Sequence, residues 1–324
     1  FHTPTVDDLL RAFRPDVHAK GRDYTPDTIP EKTTSNELGI EIAIVGDEKI
    51  HSSTQILARA AGTREPLDRV VPLDVPHVRG RLLRSARRVL QTEGWLDLER
   101  LVTTEEGALV HERRARTVRR IEVAGYPLYV KALRPLERRR SPIVEYGNHL
   151  ALRAAGFRAP EPWLCMEGRI GRDEAGVLVT REAPGLPLDE YLTLALRELG
   201  ARHRTDLARG IGSTLRALHA ARFFHPDMQA WHVFVEGSAA GGRRALTFID
   251  LMRLERGGSR VRRRKAAEGL AAMGLSLRDQ VGDEFLLAIL RAYLGGSLHQ
   301  AGPWIRAIEK HMAKLEHKGT FRYR

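Results

Sequence analysis

The stretch Phe223–Val235, FFHPDMQAWHVFV, decides how the chain is read. An apolar pair leads into His225-Pro226-Asp227, and five residues past that aspartate a second histidine, His232, opens another apolar run. Downstream, LTFIDLMRL at 246–254 is again apolar and again broken by one acid, Asp250. A charge in such surroundings is costly unless it is paired or bound to a cation. Two acids and a histidine at the ends of buried strands therefore require a partner.

Working outward, the upstream texture is that of short strands. Thr117–Val123, the Ala124-Gly125 turn and Tyr126–Lys131 predict a hairpin. SPIVEYGNHLALRAAG (141–156) predicts a helix, with Ser141 as cap, Pro142 at the first helical position and Gly156 closing it. Its expected inner stripe is Ile143, Tyr146, Leu150 and Ala154. Two more strands follow, Trp163–Glu167 and Gly176–Thr180. From Asp189 the periodicity is helical; Leu207, Ile211, Leu215 and Leu218 mark a long amphipathic helix ending just before the opening stretch. Further helices are expected in Lys265–Leu294 and Pro303–Leu315.

Strands with one helix, a linker near Glu182–Pro187, then helices with two acid-bearing strands make an α+β, bilobal, protein-kinase-like layout. The expected organisation is an unassigned N-terminal extension at 1–76, a basic amphipathic helix and lead-in at 77–104, a small β-rich N-lobe at 105–181, and a helical C-lobe with the C-terminal tail at 182–324. The extension is polar and proline-bearing, and reads as loosely ordered apart from one expected strand in GIEIAIVG, Gly39–Gly46. In VRGRLLRSARRVLQT, Val78, Leu82, Ala86 and Val89 fall near helical spacing with arginines on the other faces, so Val78–Thr92 is expected to be the basic helix.

Composition narrows the setting. The formal charge of +12, with clusters at Arg113–Arg116, Arg119–Arg120, Arg138–Arg140 and Arg262–Lys265, suits phosphate-rich or anionic partners, although an arginine-rich surface can also be no more than solvated. No RNA-binding aromatic platform, helix-turn-helix or zinc-finger spacing is present, so nucleic acid is not the expected partner. The single cysteine, Cys165, excludes a disulfide framework and a cysteine zinc site, and fits a reducing compartment. No apolar run approaches the ~18 residues that span a bilayer. The chain opens on Phe1, which leaves an upstream targeting segment open.

Phosphoryl transfer asks a protein for a cation on the phosphates, carboxylates that hold a metal, and a base or orienting group at the acceptor hydroxyl. The chain supplies these in kinase order. Lys131 ends a strand, and Glu145 lies fourteen residues on, in the first turn of the next helix, where the two can pair. Asp227, in His225-Pro226-Asp227, takes the place of the catalytic base. His232 stands where protein kinases have asparagine, and Asp250 follows its strand as a metal-binding aspartate. Singly each has a bland reading: a solvated lysine, a glutamate favourable to the helix dipole, a turn, a hydrogen-bonded core histidine. Their joint order is what points to a kinase.

These residues carry a resemblance to the lipopolysaccharide core heptose kinases. It lies in YVK (129–131), EYGNHLALRAAG (145–156), LVTREAPGLPL (178–188), LHAARFFHPDMQAWHVFV (218–235), FIDLMRL (248–254) and the helices of 262–295, and covers roughly Glu105 to Leu294. Histidine at the asparagine position and Ile249-Asp250-Leu251-x-Arg253 are its most specific features. The resemblance implies ATP and a divalent cation, Mg2+ with Mn2+ as a tolerated substitute. It implies Asp227 with His225 and His232 at the catalytic loop, Asp250 and His232 at the metal, and Lys131, Glu145, Thr180 and Glu182 at the nucleotide. It further implies a sugar or glycolipid acceptor and a peripheral enzyme at the cytoplasmic face of the inner membrane, in contact with anionic lipid. Another small-molecule or tRNA-associated kinase, or a nucleotide-binding pseudokinase scaffold, are the alternative readings.

Four departures stand out. Imidazole is a poor substitute for an amide oxygen toward magnesium, so His232 either supports the loop by hydrogen bonds, the favoured reading, or ligates a softer ion. No G-x-G-x-x-G precedes Lys131, since EEGALVHERRARTVRR has only Gly107, which assigns the phosphate cover to side chains such as Arg116 or Thr117. Tyr129 stands where protein kinases place a small alanine, and Leu251-Met252 replaces Phe-Gly, which argues against a regulated protein-kinase switch.

Overall fold

The computed structural model describes residues 6–21, 28–45, 70–137, 140–198, 200–237, 244–257, 262–296, 298–299 and 301–317. Gly46, Arg138 and Arg139, named above, lie outside them. The chain divides into two compact units, Phe1–Pro66 and Leu67–Arg324.

The first unit contains α1 (Asp7–Phe13), β1 (Val17–Gly21), α2 (Lys32–Glu37) and β2 (Glu41–Val45). The strand expected in 39–46 is β2; it pairs parallel with β1, from Val17 opposite Glu41 to Gly21 opposite Val45. α2 lies within the polar stretch that reads as loosely ordered. What the polar composition hides is a buried ion pair, Lys20 to Glu31 at 2.8 Å, with the Val6 amide also donating to Glu31.

In the second unit, β3 (Val70–Pro72), β4 (Arg79–Leu83), β5 (Ala108–Arg113), β6 (Arg116–Val123), β7 (Tyr126–Leu133), β8 (Pro162–Ile170) and β9 (Asp173–Arg181) form an antiparallel sheet in the order β3-β4-β8-β9-β7-β6-β5. The predicted β6–β7 hairpin is present, in register from Arg116–Leu133 to Val123–Tyr126. The expected helix over Val78–Thr92 is only half right. Arg79–Leu83 is strand β4, and the helix, α3, runs from Arg84 to Thr92. The reason is Gly80: a Cβ there would stand 2.6 Å from the Cys165 carbonyl, so only glycine lets this strand close on β8. Val70–Pro72, placed in the extension by composition, forms edge strand β3 of this sheet. α3 and α4 (Leu98–Thr103) cover its back, burying Ala86, Leu90, Leu98 and Leu101 with Leu128, Leu164 and Val179.

α5 (Pro142–Ala154) has the predicted ends: Ser141 Oγ accepts the Val144 amide at 3.2 Å, and Gly156 has φ +88°. Its deeply buried face differs from the expected stripe, however, and includes Glu145, Asn148, His149 and Leu152 besides Tyr146. A single-stripe reading fails because α5 is covered twice, by β8 and β9 and by the turn Leu251–Arg253.

The C-lobe holds α6 (Leu188–Glu198), α7 (Ala201–Ala220), α8 (Arg262–Leu277), α9 (Asp283–Tyr293) and α10 (Ala301–His317). Small ribbons lie among them: β10 (Leu186–Pro187) with β12 (Val233–Glu236) and β13 (Ala245–Phe248), and β11 (Phe223–Phe224) with β14 (Glu255–Arg256). Leu207, Ile211, Leu215 and Leu218 of α7 are buried as their spacing predicts, packed with Ile289, Leu290 and Tyr293 of α9. Between the lobes the chain turns at Gly185, whose φ is +89° and whose missing Cβ would fall 2.1 Å from the Val235 carbonyl. Among the described residues no helix is long and apolar enough to cross a membrane.

Two buried imidazoles make the fold acid-sensitive. His149 donates through Nδ1 to the Pro160 carbonyl at 2.9 Å, and His219 pairs through Nδ1 with the Tyr293 hydroxyl at 3.0 Å. Burial lowers both from 6.5 to about 4. Each is neutral in the fold and protonates freely when unfolded, so its stabilisation is complete above pH 6.5 and is lost as pH falls from 6.5 toward 4. The loss is about 1.4 kcal/mol per pH unit for each imidazole. Melting temperature measured from pH 8 to 4.5 at constant ionic strength should be level above 6.5 and fall steadily below it; a level curve down to pH 5 would contradict this account.

Candidate active site

The site lies where β7, α5 and the two acid-bearing segments meet. Val118 of β6 and Leu178 of β9 flank Lys131 in register, and strand alternation puts Tyr129 and Lys131 on the same face of the sheet. Lys131 Nζ reaches both oxygens of Glu145, at 3.0 and 2.9 Å, and Asp250 Oδ1 at 2.5 Å. One ammonium thus joins the sheet, the helix and the metal-type aspartate. Burial works against its charge, but Glu145 and Asp250 together outweigh that and raise its pKa. Burial also opposes the charge on Asp250, yet Lys131, His232 and Arg116 hold it well below the usual carboxylate range. Glu145, fully enclosed, is pushed up by desolvation that Lys131 offsets only in part.

Asp250 follows β13 with φ 53° and ψ 54°, a left-handed backbone that aspartate tolerates better than most residues and that turns its carboxylate away from the strand line. A 3-10 turn, Leu251–Arg253, follows. That turn is fastened from α5: the Asn148 amide donates to the Leu251 carbonyl at 2.8 Å and to the Leu254 carbonyl at 3.2 Å. Sequence reasoning missed Asn148, although a polar residue one turn past Glu145 on the same helix face was the available signal.

Asp227 sits on the loop between β11 and the 3-10 turn Ala230–His232. Its Oδ1 accepts from the Gln229 side-chain amide, and Oδ2 is 3.9 Å from Arg253 Nη1. His225 is buried, and both its nitrogens are engaged with backbone: Nε2 donates to the Ile249 carbonyl at 3.4 Å, and Nδ1 accepts from the Asp227 amide at 3.2 Å. Burial, then His232, lower its pKa to about 4. His225 was grouped with the catalytic residues by sequence, but it ties the two acidic loops together and presents no nitrogen to the site. That is a positioning place.

His232 makes the loop contact that the sequence favoured, and its other nitrogen faces Asp250. Its Nδ1 donates to the Asp227 carbonyl at 2.8 Å, which supports the loop. That bond fixes the tautomer, leaving a lone pair on Nε2, which lies 3.7 Å from Asp250 Oδ2. One ligand atom each from Asp227, His232 and Asp250 lie within 4.8 Å of one another, a donor set of two carboxylates and one imidazole. This set fits a small divalent cation, and its nitrogen suits manganese better than magnesium.

Above the acids, Arg116 begins β6 after the Arg114-Ala115 turn. Its Nη1 is 3.7 Å from Asp250 Oδ2 and its Nη2 lies 2.9 Å from His111 Nε2. A guanidinium from β6 thus stands beside the Asp250 carboxylate, braced by His111. Thr180 is buried on β9, opposite Tyr129. Glu182 is gripped by Arg120, Nε to Oε1 at 2.6 Å and Nη2 to Oε2 at 3.0 Å, with the Tyr129 hydroxyl 3.4 Å away. The structure thus gathers Lys131, Glu145, Asp227, His232 and Asp250, while Thr180 and Glu182 line the sheet nearer the hinge.

A model of the lipopolysaccharide kinase (Kdo/WaaP) family matches residues 99–293, more than half the chain. The chain belongs to that family. Among solved structures, "WaaP in complex with acyl carrier protein" is similar over 76% of this chain and 99% of that one, with a TM-score of 0.56 and 22% identity, a likeness of fold. It supports the bilobal kinase-like architecture. Among curated proteins, the "Bifunctional protein HldE" of Desulfatibacillum aliphaticivorans is 39% identical over 57 residues, 18% of this chain. The match spans 12% of that relative's length.

Asn148 gives the site a test. Asn148→Ala removes the donor to the buried Leu254 carbonyl and one of two donors to the Leu251 carbonyl, which keeps the Leu254 amide at 3.1 Å. The cost is about 1–3 kcal/mol, which is roughly 2–10 °C in melting temperature for a protein of this size. Activity should fall with it, because the turn after Asp250 loosens. A variant with unchanged melting temperature and unchanged activity would show that the turn holds itself.

Proposed function

We propose that this member of the lipopolysaccharide kinase family is an ATP-dependent phosphotransferase acting on a sugar hydroxyl of the lipopolysaccharide inner core, heptose first among the candidates. The observation that carries the reading is the unbroken set Lys131–Glu145–Asp250 beside Asp227 and His232. A scaffold has no need to bury such a group, so this set weighs against a pseudokinase.

In this reading Lys131, held by Glu145, grips the nucleotide phosphates, and Arg116 covers them from β6. Asp250 and His232, with Asp227 at the edge, would hold a divalent cation, Mg2+ or Mn2+, which supplies charge neutralisation on the phosphates when bound. Asp227 orients the acceptor hydroxyl and takes its proton as the sugar oxygen bonds to the γ-phosphorus and the bond to the β-phosphate oxygen breaks. Gln229 keeps one carboxylate oxygen in place for that task. Thr180 and Glu182 face the base end of the nucleotide. Such a site works by position and charge, since phosphoryl transfer asks for little covalent chemistry from the protein. The net charge of +12 and the arginine face of α3, with Arg84, Arg87 and Arg88 around one surface hollow, favour a peripheral seat on the anionic inner face of the inner membrane.

The test is transfer from γ-labelled ATP to deep-rough lipopolysaccharide with Mg2+, then Mn2+. Asp227→Ala should lower the rate by about 10²–10⁴-fold while keeping the melting shift that saturating ATP and metal give, about 2.7 kcal/mol at a hundredfold over Kd. Label that appears equally with Asp227→Ala would remove Asp227 from the mechanism. Arg116→Ala should weaken ATP binding by about tenfold or more, the weight of one charge-assisted hydrogen bond; unchanged affinity would move the phosphate cover elsewhere.

A further inference from the structure

Among the described residues, Arg253 is the strong cation beside the base that the mechanism above leaves without a task. It closes the 3-10 turn Leu251–Arg253, whose carbonyls Asn148 fastens from α5, so the root of the side chain is fixed. Its end is not. The side chain is 64% exposed, and its Nη1 stands 3.9 Å from Asp227 Oδ2, beyond hydrogen-bond reach. Among the described residues that is the only ion pair Arg253 makes. Arg253 is not needed to steady Asp227, because Gln229 already holds it through the other oxygen. What remains is a planar fork of donors, anchored at its base, free at its tip, and opening to solvent beside the atom that must meet the acceptor hydroxyl. Such a fork fits a carboxylate or phosphate with two parallel hydrogen bonds.

We propose that Arg253 binds an anionic group, a carboxylate or a phosphate, carried by the acceptor close to the hydroxyl that is phosphorylated. Arg253 is then a specificity-determining residue: it selects acidic sugars over neutral ones and turns the reacting hydroxyl toward Asp227. The exposed rim of the site explains why the residue is arginine. A lysine there would be a strongly hydrated point charge, whereas the guanidinium offers a fixed geometry as well as attraction. The inference rests on the sugar-kinase reading and adds to it the chemistry of the acceptor.

The experiment compares three acceptors: the core oligosaccharide of deep-rough lipopolysaccharide intact, the same material with its carboxylates reduced to alcohols, and the same material treated with phosphatase. Relative kcat/KM is measured for the wild type, Arg253→Gln and Arg253→Lys, with the melting shift from ATP and Mn2+ as a control for nucleotide binding. The expected result is that the wild type prefers the intact acceptor over one treated form by on the order of ten- to a hundredfold. Arg253→Gln should erase that preference chiefly through KM, and Arg253→Lys should keep part of it. The treated form that is disfavoured tells which anion is read. If the wild type uses all three acceptors equally, or if Arg253→Gln loses the same factor on each, the proposal is overturned and Arg253 acts only through Asp227. If the wild type binds ATP yet transfers to none of the three, the sugar-kinase reading fails first and this inference falls with it.

Discussion

The ammonium of Lys131 is the point on which the rest of the structure turns. It is set on a central strand of the seven-stranded sheet, and it is shared between Glu145 of the helix and Asp250 of the C-lobe. Removing one member of a buried pair leaves an uncompensated charge, at a cost of about 3–5 kcal/mol. One contact therefore couples the sheet, α5 and the strand exit of the C-lobe, and the geometry of the site follows from the fold being closed. The supporting bonds work in the same direction. Asn148 fastens the turn after Asp250, His225 bridges the Asp227 loop to Ile249, and His232 holds the Asp227 carbonyl. Most of the polar groups near the site thus serve to place the few that can react.

This division explains what could be read from the sequence. Asp227, His232 and Asp250 are legible because acids and a histidine interrupting apolar runs violate the ordinary rule for strands. Lys131 and Glu145 are legible through order and spacing. Ser141, Pro142 and Gly156 mark a helix because each satisfies a local backbone need that depends on nothing distant. Asn148 offered only its place one turn past Glu145; its role was hidden for the opposite reason, since its partners, Leu251 and Leu254, lie more than a hundred residues away. The failure at Val78–Thr92 has a similar cause. Arginines and leucines there suit two periods at once, and the choice of strand over helix is made by the close approach of Gly80 to β8. The N-terminal unit was the least legible part, since a short parallel pair joined through a polar helix leaves little apolar signal to count.

The departures from protein kinases fall in two places: His232 and Leu251-Met252 follow the two aspartates, while Tyr129 and the missing glycine motif surround Lys131. In the proposed reading Arg116 of β6 takes the place of a glycine loop over the phosphates, and it is itself braced by His111. A side chain can swing aside by rotamer changes, whereas a loop must move as a body. The basic character of the chain thus reaches into the site as well as covering the exterior, and the two have different physics: the outer charges are screened by salt within a Debye length, the inner ones much less so.

Tyr129 and the Arg120–Glu182 pair bear on pharmacology. Inhibitors of protein kinases commonly enter beside a small residue on the lysine strand and bond to free amides at the hinge. Here a phenol ring stands on that strand, and the Glu182 amide is already given to the Pro127 carbonyl at 3.1 Å. A flat hinge-seeking compound meets a filled space and an occupied donor. A molecule shaped to stack on Tyr129 and to part Arg120 from Glu182 would instead engage the phenol and the ion pair that stand here.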